Sequence, residues 1–276
     1  MKKIDTRFPD SDPHSAVVTG ATGGIGREIV SLLLSKNYRV FVLSRHAENV
    51  REQFPDWPDR IIPVPCDLTS EESIQKVSEY IRQKKIVVNL LIHCAGLIHP
   101  EDSSNITASY INSQMMINLT GPILLTGGLV SSVPSGGHIL FVNSVAGVLP
   151  LQGSSVYTAS KFGLRGFARS LALDLRPRRI RVSSVFLGAV DTLMLDREIA
   201  DGGSVLNFVS QPLSPRRVAE FILRASQKSG QEFFLPRIDG VFGHACLMMP
   251  WLLRWMTPFL QIIGRSGQNR YLRKKG

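Results

Sequence analysis

The sequence has few of the features that mark secreted, metal-binding or membrane-spanning proteins. Its 276 residues include only three cysteines, Cys66, Cys94 and Cys246. These are too few for a disulfide framework and lack the spacing of a metal site, so a reducing, cytoplasmic location is expected. No internal repeat or low-complexity segment occurs. Residues 1–13 mix charges without the apolar stretch of a signal peptide, so none is expected.

Acidic residues are missing from the last part of the chain, and no long apolar run is free of interruption. The stretch 241–263 is apolar and rich in tryptophan, but Pro250, Arg254 and Pro258 interrupt it, which argues against a transmembrane helix. After Asp239 there are six basic residues and no acidic one, within a net charge of +10. No stacking motif accompanies these cations, so we expect no nucleic-acid partner.

What the chain does contain is a regular alternation of strand-length apolar runs with helical patterns. Strands are expected at 16–19, 40–43, 61–65, 90–93, 138–143, 181–186 and 232–235. Such alternation implies right-handed βαβ crossovers and a parallel sheet. The length fits one α/β domain with a doubly wound sheet and helices on both faces.

A glycine-rich turn follows the first strand. Residues 19–26 read Thr-Gly-Ala-Thr-Gly-Gly-Ile-Gly, and a helical pattern runs from about 27 to 35. Glycines let the backbone approach a pyrophosphate closely, and the following helix N-terminus supplies free N–H groups. The turn therefore indicates a dinucleotide phosphate site, and the alternative is a purely structural turn.

A second pattern concerns acid–base chemistry. Tyr157 and Lys161 are four residues apart, so on a helix they share one face, and Ser144 lies thirteen residues before Tyr157. A nearby cation favours phenolate, so Lys161 is expected to lower the pKa of Tyr157 from its usual value of about 10. A tyrosine so placed can serve as a general acid or base.

Together these motifs resemble the short-chain dehydrogenase/reductase (SDR) family. Residues 19–26 have its TGxxxGIG pattern, while Ser144, Tyr157 and Lys161 match its catalytic serine, tyrosine and lysine, and Asn118 its fourth catalytic residue. The resemblance covers residues 14–238. It implies a Rossmann-type α/β fold and an NAD(P)-dependent enzyme that interconverts a carbonyl and a secondary alcohol.

The resemblance also assigns roles. Tyr157 would exchange a proton with the substrate oxygen, Ser144 would hold that oxygen, and Lys161 would lower the pKa of Tyr157 and bind the nicotinamide ribose. Asn118 would position a water that links Lys161 to solvent. No metal ligand is expected. The implied cofactor-binding residues are Thr19, Gly20, Thr22, Gly23, Gly24, Ile25, Gly26, Ser44, Arg45, Asp67, Leu68, Ala95, Gly96, Tyr157, Lys161, Gly188, Val190 and Thr192.

Two positions depart from the family pattern. Its Asn-Asn-Ala-Gly is replaced by residues 93–96, His-Cys-Ala-Gly, and its Pro-Gly after the sixth strand by Leu187-Gly188. We expect His93 to be a buried histidine with satisfied hydrogen bonds, not a ligand or catalytic base.

The end of the second strand bears on cofactor choice. Ser44 and Arg45 stand where an acidic residue would favour NAD, and no carboxylate occurs before Glu48. A basic residue there accommodates the 2′-phosphate of NADP, so NADP(H) is expected, with Arg27 adding charge. Arg45 could instead be an ordinary solvated residue. Asp67 resembles the family's adenine contact, or it caps the helix that begins at residue 70 or 71.

The substrate is less well defined. Residues 193–211 are expected to form a lid with a hinge at Gly202-Gly203, and their apolar character indicates a hydrophobic or lipid-like substrate unless they only cover the core. The main hypothesis is a carbonyl reductase or alcohol dehydrogenase. The alternatives are a 3-oxoacyl or 3-ketosphingoid reductase and, in another class, a non-catalytic dinucleotide-binding redox sensor or scaffold.

The chain thus divides into an NAD(P)-binding catalytic domain, 1–238, and an apolar, basic extension, 239–276. Apolar, tryptophan-rich helices with flanking cations suit a membrane surface, so 241–276 would contact a membrane facing the cytosol. Alternatively, the extension packs over the substrate pocket or a partner subunit. The family resemblance implies a homodimer or homotetramer.

Overall fold

The fold is described by a computed structural model over residues 14–228 and 230–275. Residues 1–13, for which the sequence predicts no signal peptide, lie outside the described residues.

The described chain contains one seven-stranded parallel sheet with strand order β3-β2-β1-β4-β5-β6-β7. This confirms the Rossmann-type doubly wound fold. The strands are β1 Ser15–Thr19, β2 Arg39–Ser44, β3 Ile61–Pro65, β4 Leu90–His93, β5 His138–Ser144, β6 Arg181–Leu187 and β7 Glu232–Leu235. The predicted strands agree with these bounds to within one residue at each end.

Helices cover both faces of the sheet and continue into the C-terminal extension. They are α1 Gly24–Ser35, α2 Glu71–Gln83, α3 Ala108–Met115, α4 Gly121–Leu129, α5 Ser155–Asp174, α6 Leu193–Ala200, α7 Pro215–Ser226, α8 Arg237–Met248 and α9 Pro250–Lys275. The first helix begins three residues earlier than expected, because Gly23 takes the extended N-cap conformation and the glycine motif itself enters the first turn.

The core has two main layers, one on each face of the sheet. Strand residues alternate between them: Val18 belongs to the layer beneath α1 and α7, whereas Val17 belongs to the layer beneath α2, α4 and α5. Both faces of the central strands are therefore buried, which accounts for the continuous apolar runs that marked them in the sequence.

Helices α3 and α4 are joined by a π-helical turn, Met116–Thr120. The whole segment, Ala108–Ser132, is long and apolar enough to cross a membrane by length and composition. It is instead a packed part of this fold. Leu125 and Leu129 lie fully buried in the layer shared with α2 and α5.

His93 is buried at the end of β4, as expected, and stacks on Phe141 with 4.8 Å between ring centroids. The Thr126 hydroxyl donates to the Pro122 carbonyl, so it must accept from His93 Nε2–H at 2.8 Å. His93 Nδ1 has no partner among the described residues, so only one ring nitrogen is satisfied, contrary to the expectation. Burial lowers the pKa of His93 to about 3, so the ring is neutral.

The C-terminal extension packs against the rest of the described chain. Helix α8 covers β7, and Cys246 joins a small cluster with Val148, Leu149 and Phe186. Helix α9 runs alongside the 3-10 turn Val205–Phe208. The packing alternative therefore accounts for one face of these helices.

Candidate active site

The glycine turn at the carboxyl end of β1 leaves no room for side chains. Gly20 has a φ of +67°, and a Cβ there would lie 2.6 Å from the Ala95 nitrogen. A Cβ on Gly26 would overlap the Gly20 carbonyl oxygen. Glycine is therefore required at both positions because another part of the backbone lies where a Cβ would be. At position 20 the positive φ favours glycine as well.

The same turn delivers an uncapped helix N-terminus. Gly23 is the N-cap residue of α1, and no side chain caps the first turn, which also contains no acidic residue. The first N–H groups of a helix carry partial positive charge and lack helical partners, so they suit an anionic group. Thr22, Gly23 and Gly24 are exposed here, Ile25 is half-buried and Gly26 is buried.

Thr19 connects the ends of two neighbouring strands. It is buried, and its Oγ1 accepts hydrogen bonds from the N–H groups of Cys94 (3.1 Å) and Ala95 (3.2 Å). Thr19 thus ties the end of β1 to the end of β4. This bond places Ala95 and Gly96 beside the glycine turn, at the edge of the sheet where doubly wound folds bind nucleotides.

The predicted catalytic residues meet at the carboxyl end of β5 and on α5. Ser144 ends β5, and its hydroxyl lies close enough to the Tyr157 phenol to lower the pKa of that group. Tyr157 and Lys161 lie one helical turn apart on α5, with Lys161 Nζ 5.6 Å from the Tyr157 ring centroid. Tyr157 is half-buried, whereas Lys161 is only 4 % exposed.

The pKa of Tyr157 shifts in the opposite direction to that expected from its neighbour. Burial raises the pKa well above 10, and the charge of Glu198 raises it further, while the hydrogen bond with Ser144 lowers it. Burial lowers the pKa of Lys161 to about 8. The expected lowering of the Tyr157 pKa is therefore wrong for the described chain, because desolvation of the phenol is the largest influence on it.

Asn118 is held rigidly in the π-helical turn. Its Oδ1 accepts from Leu97 N–H at 2.8 Å and its Nδ2 donates to the Leu97 carbonyl at 2.7 Å. A Cβ on Gly96 would lie 3.6 Å from Asn118 Oδ1 and 3.7 Å from Lys161 Nζ. Asn118, Lys161 and Gly96 therefore border one small space, which the lack of a side chain on Gly96 keeps open.

The carboxyl ends of β2 and β3 carry the residues predicted to contact the adenosine half of a cofactor. Ser44 Oγ accepts from His46 N–H at 3.1 Å, which leaves the hydroxyl hydrogen available to another acceptor. Arg45 is exposed, and its charge contributes to lowering the pKa of Asp67. Leu68 is buried in the core, with its carbonyl close to Gly121.

Asp67 does not cap α2, so that alternative is wrong. The N-cap of α2 is Ser70, which accepts from Ser73 N–H at 3.2 Å. Asp67 Oδ1 instead accepts from the Thr69 backbone N–H at 2.9 Å and from the Thr69 hydroxyl at 2.8 Å. The backbone bond is the main reason that the pKa of Asp67 is lowered. Its carboxylate is thereby fixed at the end of β3.

The segment after β6 closes the site from the other side. Thr192 lies against the glycine turn, since a Cβ on Gly24 would be 2.7 Å from Thr192 Cγ2. Gly188 N–H donates to the Leu235 carbonyl at 3.0 Å, and Val190 is buried. Leu187, which replaces the family's proline, is buried in the core layer beneath α7, so the substitution is accommodated by packing.

Two polar residues of the site escaped the sequence motifs. Asn143 is buried next to Ser144; its Oδ1 accepts from Ser144 N–H at 2.8 Å and its Nδ2 donates to the Lys161 carbonyl at 3.2 Å. It thus fixes β5 to α5 at the two catalytic positions. Its place directly before Ser144 was the only signal that the sequence offered.

The second is Glu198 on α6, in the predicted lid. It is 7 % exposed, and its Oε1 accepts from Asn207 Nδ2 at 2.6 Å. Burial raises the pKa of Glu198 to about 7. A carboxyl group on a helix of mixed polarity looked in sequence like a solvated one, so only the tertiary packing shows that it is buried close to Tyr157.

These features fit a dinucleotide. The two glycines whose side chains would collide with backbone form a cradle, and the uncapped start of α1 offers donors to a pyrophosphate. No group of three His, Cys, Asp or Glu residues within 14–228 and 230–275 could hold a metal ion.

Comparisons with known proteins agree with this geometry. Residues 14–202 match the family model described as short chain dehydrogenase. Carbonyl reductase family member 4 of Danio rerio is 33 % identical over 221 residues, covering 78 % of this chain and 93 % of that protein. The 3-oxoacyl-[acyl-carrier-protein] reductase of Bos taurus is 30 % identical over 218 residues, covering 77 % and 92 %.

Solved structures share the fold. A short chain dehydrogenase from Burkholderia cenocepacia, described as a complex with NADP, superposes with a TM-score of 0.74 at 23 % identity, covering 88 % of this chain and 96 % of that one. The family match spans well over half of the chain and includes the glycine turn, Ser144, Tyr157 and Lys161. The protein is therefore a member of the short-chain dehydrogenase family of oxidoreductases, whose members act on CH–OH and C=O groups.

Proposed function

We propose that this protein is an NADP(H)-dependent reductase of a hydrophobic, lipid-like ketone, with the secondary alcohol as the product. The observation that carries the proposal is the meeting of Ser144, Tyr157 and Lys161 beside the space bordered by Gly96 and Asn118. A half-buried phenol with a serine bonded to it can act on an oxygen atom presented to both.

The nicotinamide of the bound cofactor supplies the hydride. The glycine turn, the α1 N-terminus and Thr192 would hold that cofactor. As hydride reaches the carbonyl carbon, negative charge develops on the oxygen. Ser144 and Tyr157 then stabilise that charge as hydrogen-bond donors, an effect typically of about 2.7–4 kcal/mol per donor.

The raised pKa of Tyr157 bears on the proton transfer to the substrate oxygen. Burial keeps the phenol protonated at neutral pH, so it is ready to donate its proton to the developing alkoxide. Lys161, with a pKa of about 8, carries its charge at neutral pH and places it 5.6 Å from the centre of the Tyr157 ring. Asn118 faces the same space as Lys161 and can position a water through which Tyr157 is reprotonated. The protonated phenol is the form that reduction of a ketone requires.

Replacing Tyr157 with Phe tests this mechanism. Tyr157→Phe is expected to abolish NADPH-dependent ketone reduction while the dissociation constant of NADPH, measured by fluorescence titration, stays close to that of the parent. Tyr80→Phe, on α2 away from the site, is the matched control and should keep full activity. Undiminished reduction by Tyr157→Phe would refute the assignment. Cofactor binding without turnover by the parent chain on any ketone would favour the redox-sensor alternative.

The preference for NADP rests on Ser44 and Arg45. The Ser44 hydroxyl hydrogen is available, and the Arg45 guanidinium is exposed at the end of β2, so the two can bind a 2′-phosphate. Glu48, the first carboxylate after them, points toward His46 at 3.5 Å. One solved structure of the same fold is described as an NADP complex. The sequence has no carboxylate from Val42 to Ala47 to bind the ribose hydroxyls, as NAD would favour.

A change of charge at this position separates the two cofactors. Arg45→Ala is expected to lower kcat/KM for NADPH by about tenfold or more, as loss of a charge-assisted bond of roughly 1.5–3 kcal/mol predicts, and to leave NADH unaffected. Arg82→Ala, another exposed arginine, should change neither value. An equal loss with both cofactors would contradict the preference.

The lipid-like substrate is proposed from the lid. Leu195 and Phe208 of the lid are buried, while Leu193, Met194 and Val209 are exposed. The named relatives reduce carbonyl groups, and one of them, by its name, a 3-oxoacyl chain. NADPH oxidation should therefore rise with chain length across a series of 2-alkanones and 3-oxoacyl thioesters. A preference for short, polar ketones would exclude this substrate class.

We also propose a cytosolic homodimer or homotetramer. All three cysteines are free thiols, as a reducing compartment requires. Helices α3 and α5 expose Ile111 and Leu173, apolar residues that a partner subunit could cover. Light scattering on the purified chain should give at least twice the monomer mass of 30.5 kDa.

A further inference from the structure

The two C-terminal helices hold most of the large apolar side chains that the described chain exposes strongly. Within residues 14–228 and 230–275, nine large apolar side chains are at least 62 % exposed, and seven of these nine lie in α8 and α9. The other two are Leu173 and Leu193. The seven are Ile238, Val241, Met248, Trp251, Trp255, Phe259 and Ile262. This concentration distinguishes α8 and α9 from the ordinary surface, where exposed apolar residues are scattered.

In α9 these residues form a stripe. Trp251, Trp255, Phe259 and Ile262 are 64, 76, 62 and 69 % exposed, and their spacing of four, four and three residues places them on one helix face. We call this stripe the outer face of α9. It is about 17 Å long, at 1.5 Å per residue.

The opposite face of α9 is fixed to the protein. The backbone of α9 approaches the turn Val205–Phe208 so closely that a Cβ on Gly264 would overlap the Val205 carbonyl and one on Gly267 the Phe208 carbonyl. The Tyr271 hydroxyl donates to Asp191 Oδ1 at 2.5 Å. Because the inner face is held at these points, the outer face is a defined surface of the folded protein.

Positive charge accompanies this surface. Arg254 lies among the apolar residues of the stripe, and Arg265, Arg270, Arg273 and Lys274 follow it; all five are exposed. Within the described ranges, none of the five has a carboxylate within 4.0 Å, whereas Lys275 bonds Asp196 at 2.7 Å and Asp191 at 2.9 Å. The free cations are thus available to an external anionic partner.

A groove beside the outer face also combines apolar side chains with positive charges. It has a volume of about 400 Å³ and lies between α9 and residues 208–212. Phe208, Ile262 and Ile263 give it apolar walls, and Arg270 and Lys274 stand along the same groove. Apolar walls beside cations are complementary to an acyl chain beneath an anionic headgroup.

We propose that the outer face of α9 docks the protein on an anionic lipid bilayer. Tryptophan and phenylalanine suit the headgroup boundary, and the neighbouring arginines would lie against the headgroups. A protein partner is less well matched, because the stripe combines tryptophans with unpaired cations of one sign and has no acidic residue to direct a specific contact. The proposal concerns binding alone and does not depend on hydride transfer.

The tryptophans allow a direct test on the full chain. There are three tryptophans, and Trp57 is packed away from α9, beneath Arg60 at 4.8 Å. Vesicles of phosphatidylcholine and phosphatidylserine should shift the fluorescence emission to the blue, and lipids brominated near the headgroup should quench it. The Trp251→Phe/Trp255→Phe variant should lose this response, whereas Trp57→Phe should keep it. No response by the parent chain, or a response that depends on Trp57, would overturn the proposal.

A second pair of variants tests the charges. Arg270→Gln/Arg273→Gln is expected to weaken flotation with anionic vesicles about 25-fold, from roughly 1 kcal/mol per cation. Arg51→Gln/Arg82→Gln removes the same net charge from exposed positions elsewhere and should bind nearly as the parent does. Near-UV circular dichroism checks that each variant is folded. Equal binding by both pairs would contradict the proposal, as would a Trp255→Ser variant that becomes monomeric, since the face would then join two copies of this chain.

Discussion

Glu198 offers a quantitative test of how the predicted lid, residues 193–211, is packed. It lies on α6, 7 % exposed, and its main partner is Asn207, whose amide donates to it at 2.6 Å. Burial raises its pKa from 4.5 to about 7, and the bond from Asn207 opposes that rise only in part. The folded protein therefore holds a proton on Glu198 over a range of pH in which the unfolded chain has already released it.

The sign of the effect follows from this difference. Below about pH 4.5 both states are protonated, and the stabilising contribution of the neutral carboxyl group is fully present. As the pH rises toward 7, unfolding is coupled to proton release, and the contribution falls until the folded state also ionises. A shift of about 2.5 pKa units corresponds to roughly 3 kcal/mol, at about 1.36 kcal/mol per unit.

Glu198→Gln removes the ionisation and keeps the shape of the side chain. The glutamine oxygen can still accept from Asn207, so the variant and the parent should unfold at similar urea concentrations at pH 4. At pH 8 the variant should be more stable by up to about 3 kcal/mol, because the parent then buries a carboxylate. The measurement is the difference between the two free energies of unfolding at each pH.

Glu79→Gln provides the control, since Glu79 is an exposed glutamate on α2. It should leave the pH dependence of the parent unchanged. The reasoning would be refuted if Glu198→Gln and the parent gave parallel curves from pH 4 to 8. If the variant were less stable than the parent by the same amount at every pH, the hydrogen bond with Asn207, and not the buried charge, would determine how Glu198 affects stability.

Four further predictions follow from contacts in the site. Gly26→Ala should abolish NADPH binding in fluorescence titration, because its Cβ would overlap the Gly20 carbonyl and displace the turn. Gly96→Ala should fold normally, with a Cβ at 3.6 Å or more from its neighbours, yet reduce kcat by filling the space beside Lys161. Asn143→Leu should cost about 1–3 kcal/mol in urea unfolding by leaving the Ser144 N–H unpaired, and should lower kcat as well. Arg165→Met should destabilise the protein by about 1–3 kcal/mol, because the half-buried Glu232 loses its bidentate partner and keeps only Arg169 at 3.8 Å and His244 at 3.7 Å.

The sheet and the catalytic residues could be predicted because their signals are local. Each strand is a short apolar run between turns. The glycine turn is recognisable in the sequence because its glycines stand at positions that have no room for a side chain. Ser144, Tyr157 and Lys161 could be assigned because one strand end and one helical turn bring them together.

Interactions between distant or newly buried groups could not be predicted in this way. The bond between Glu198 and Asn207 depends on how α6 and the following turn fold back on each other. The pKa of Tyr157 was expected to fall because the sequence shows a cation four residues away, whereas the fold adds desolvation and the charge of Glu198. Charge pairs are visible in a sequence, but the dielectric surroundings that determine their effect are not.

The C-terminal helices connect these distant parts of the molecule. Helix α8 reaches the catalytic helix α5 through His244, whose Nδ1–H donates to the Gly240 carbonyl at 2.7 Å, so that its Nε2 accepts from Arg165 at 3.0 Å. Helix α9 reaches the lid through Lys275, which bonds Asp191 and Asp196 on either side of Thr192. The extension therefore supports both the acid–base residues and the segment that closes the cofactor site.

This arrangement determines which experiments can separate membrane docking from catalysis. A truncation before α8 would remove the outer face of α9 and also the support of the lid and of α5, so loss of activity would carry no information about docking. Substitutions at Trp251 and Trp255 change only the exposed side of α9, while Tyr271 and Lys275 keep the inner side in place. If docking serves to present a lipid-like ketone, these substitutions should slow reduction of a vesicle-borne substrate and leave reduction of a water-soluble ketone unchanged.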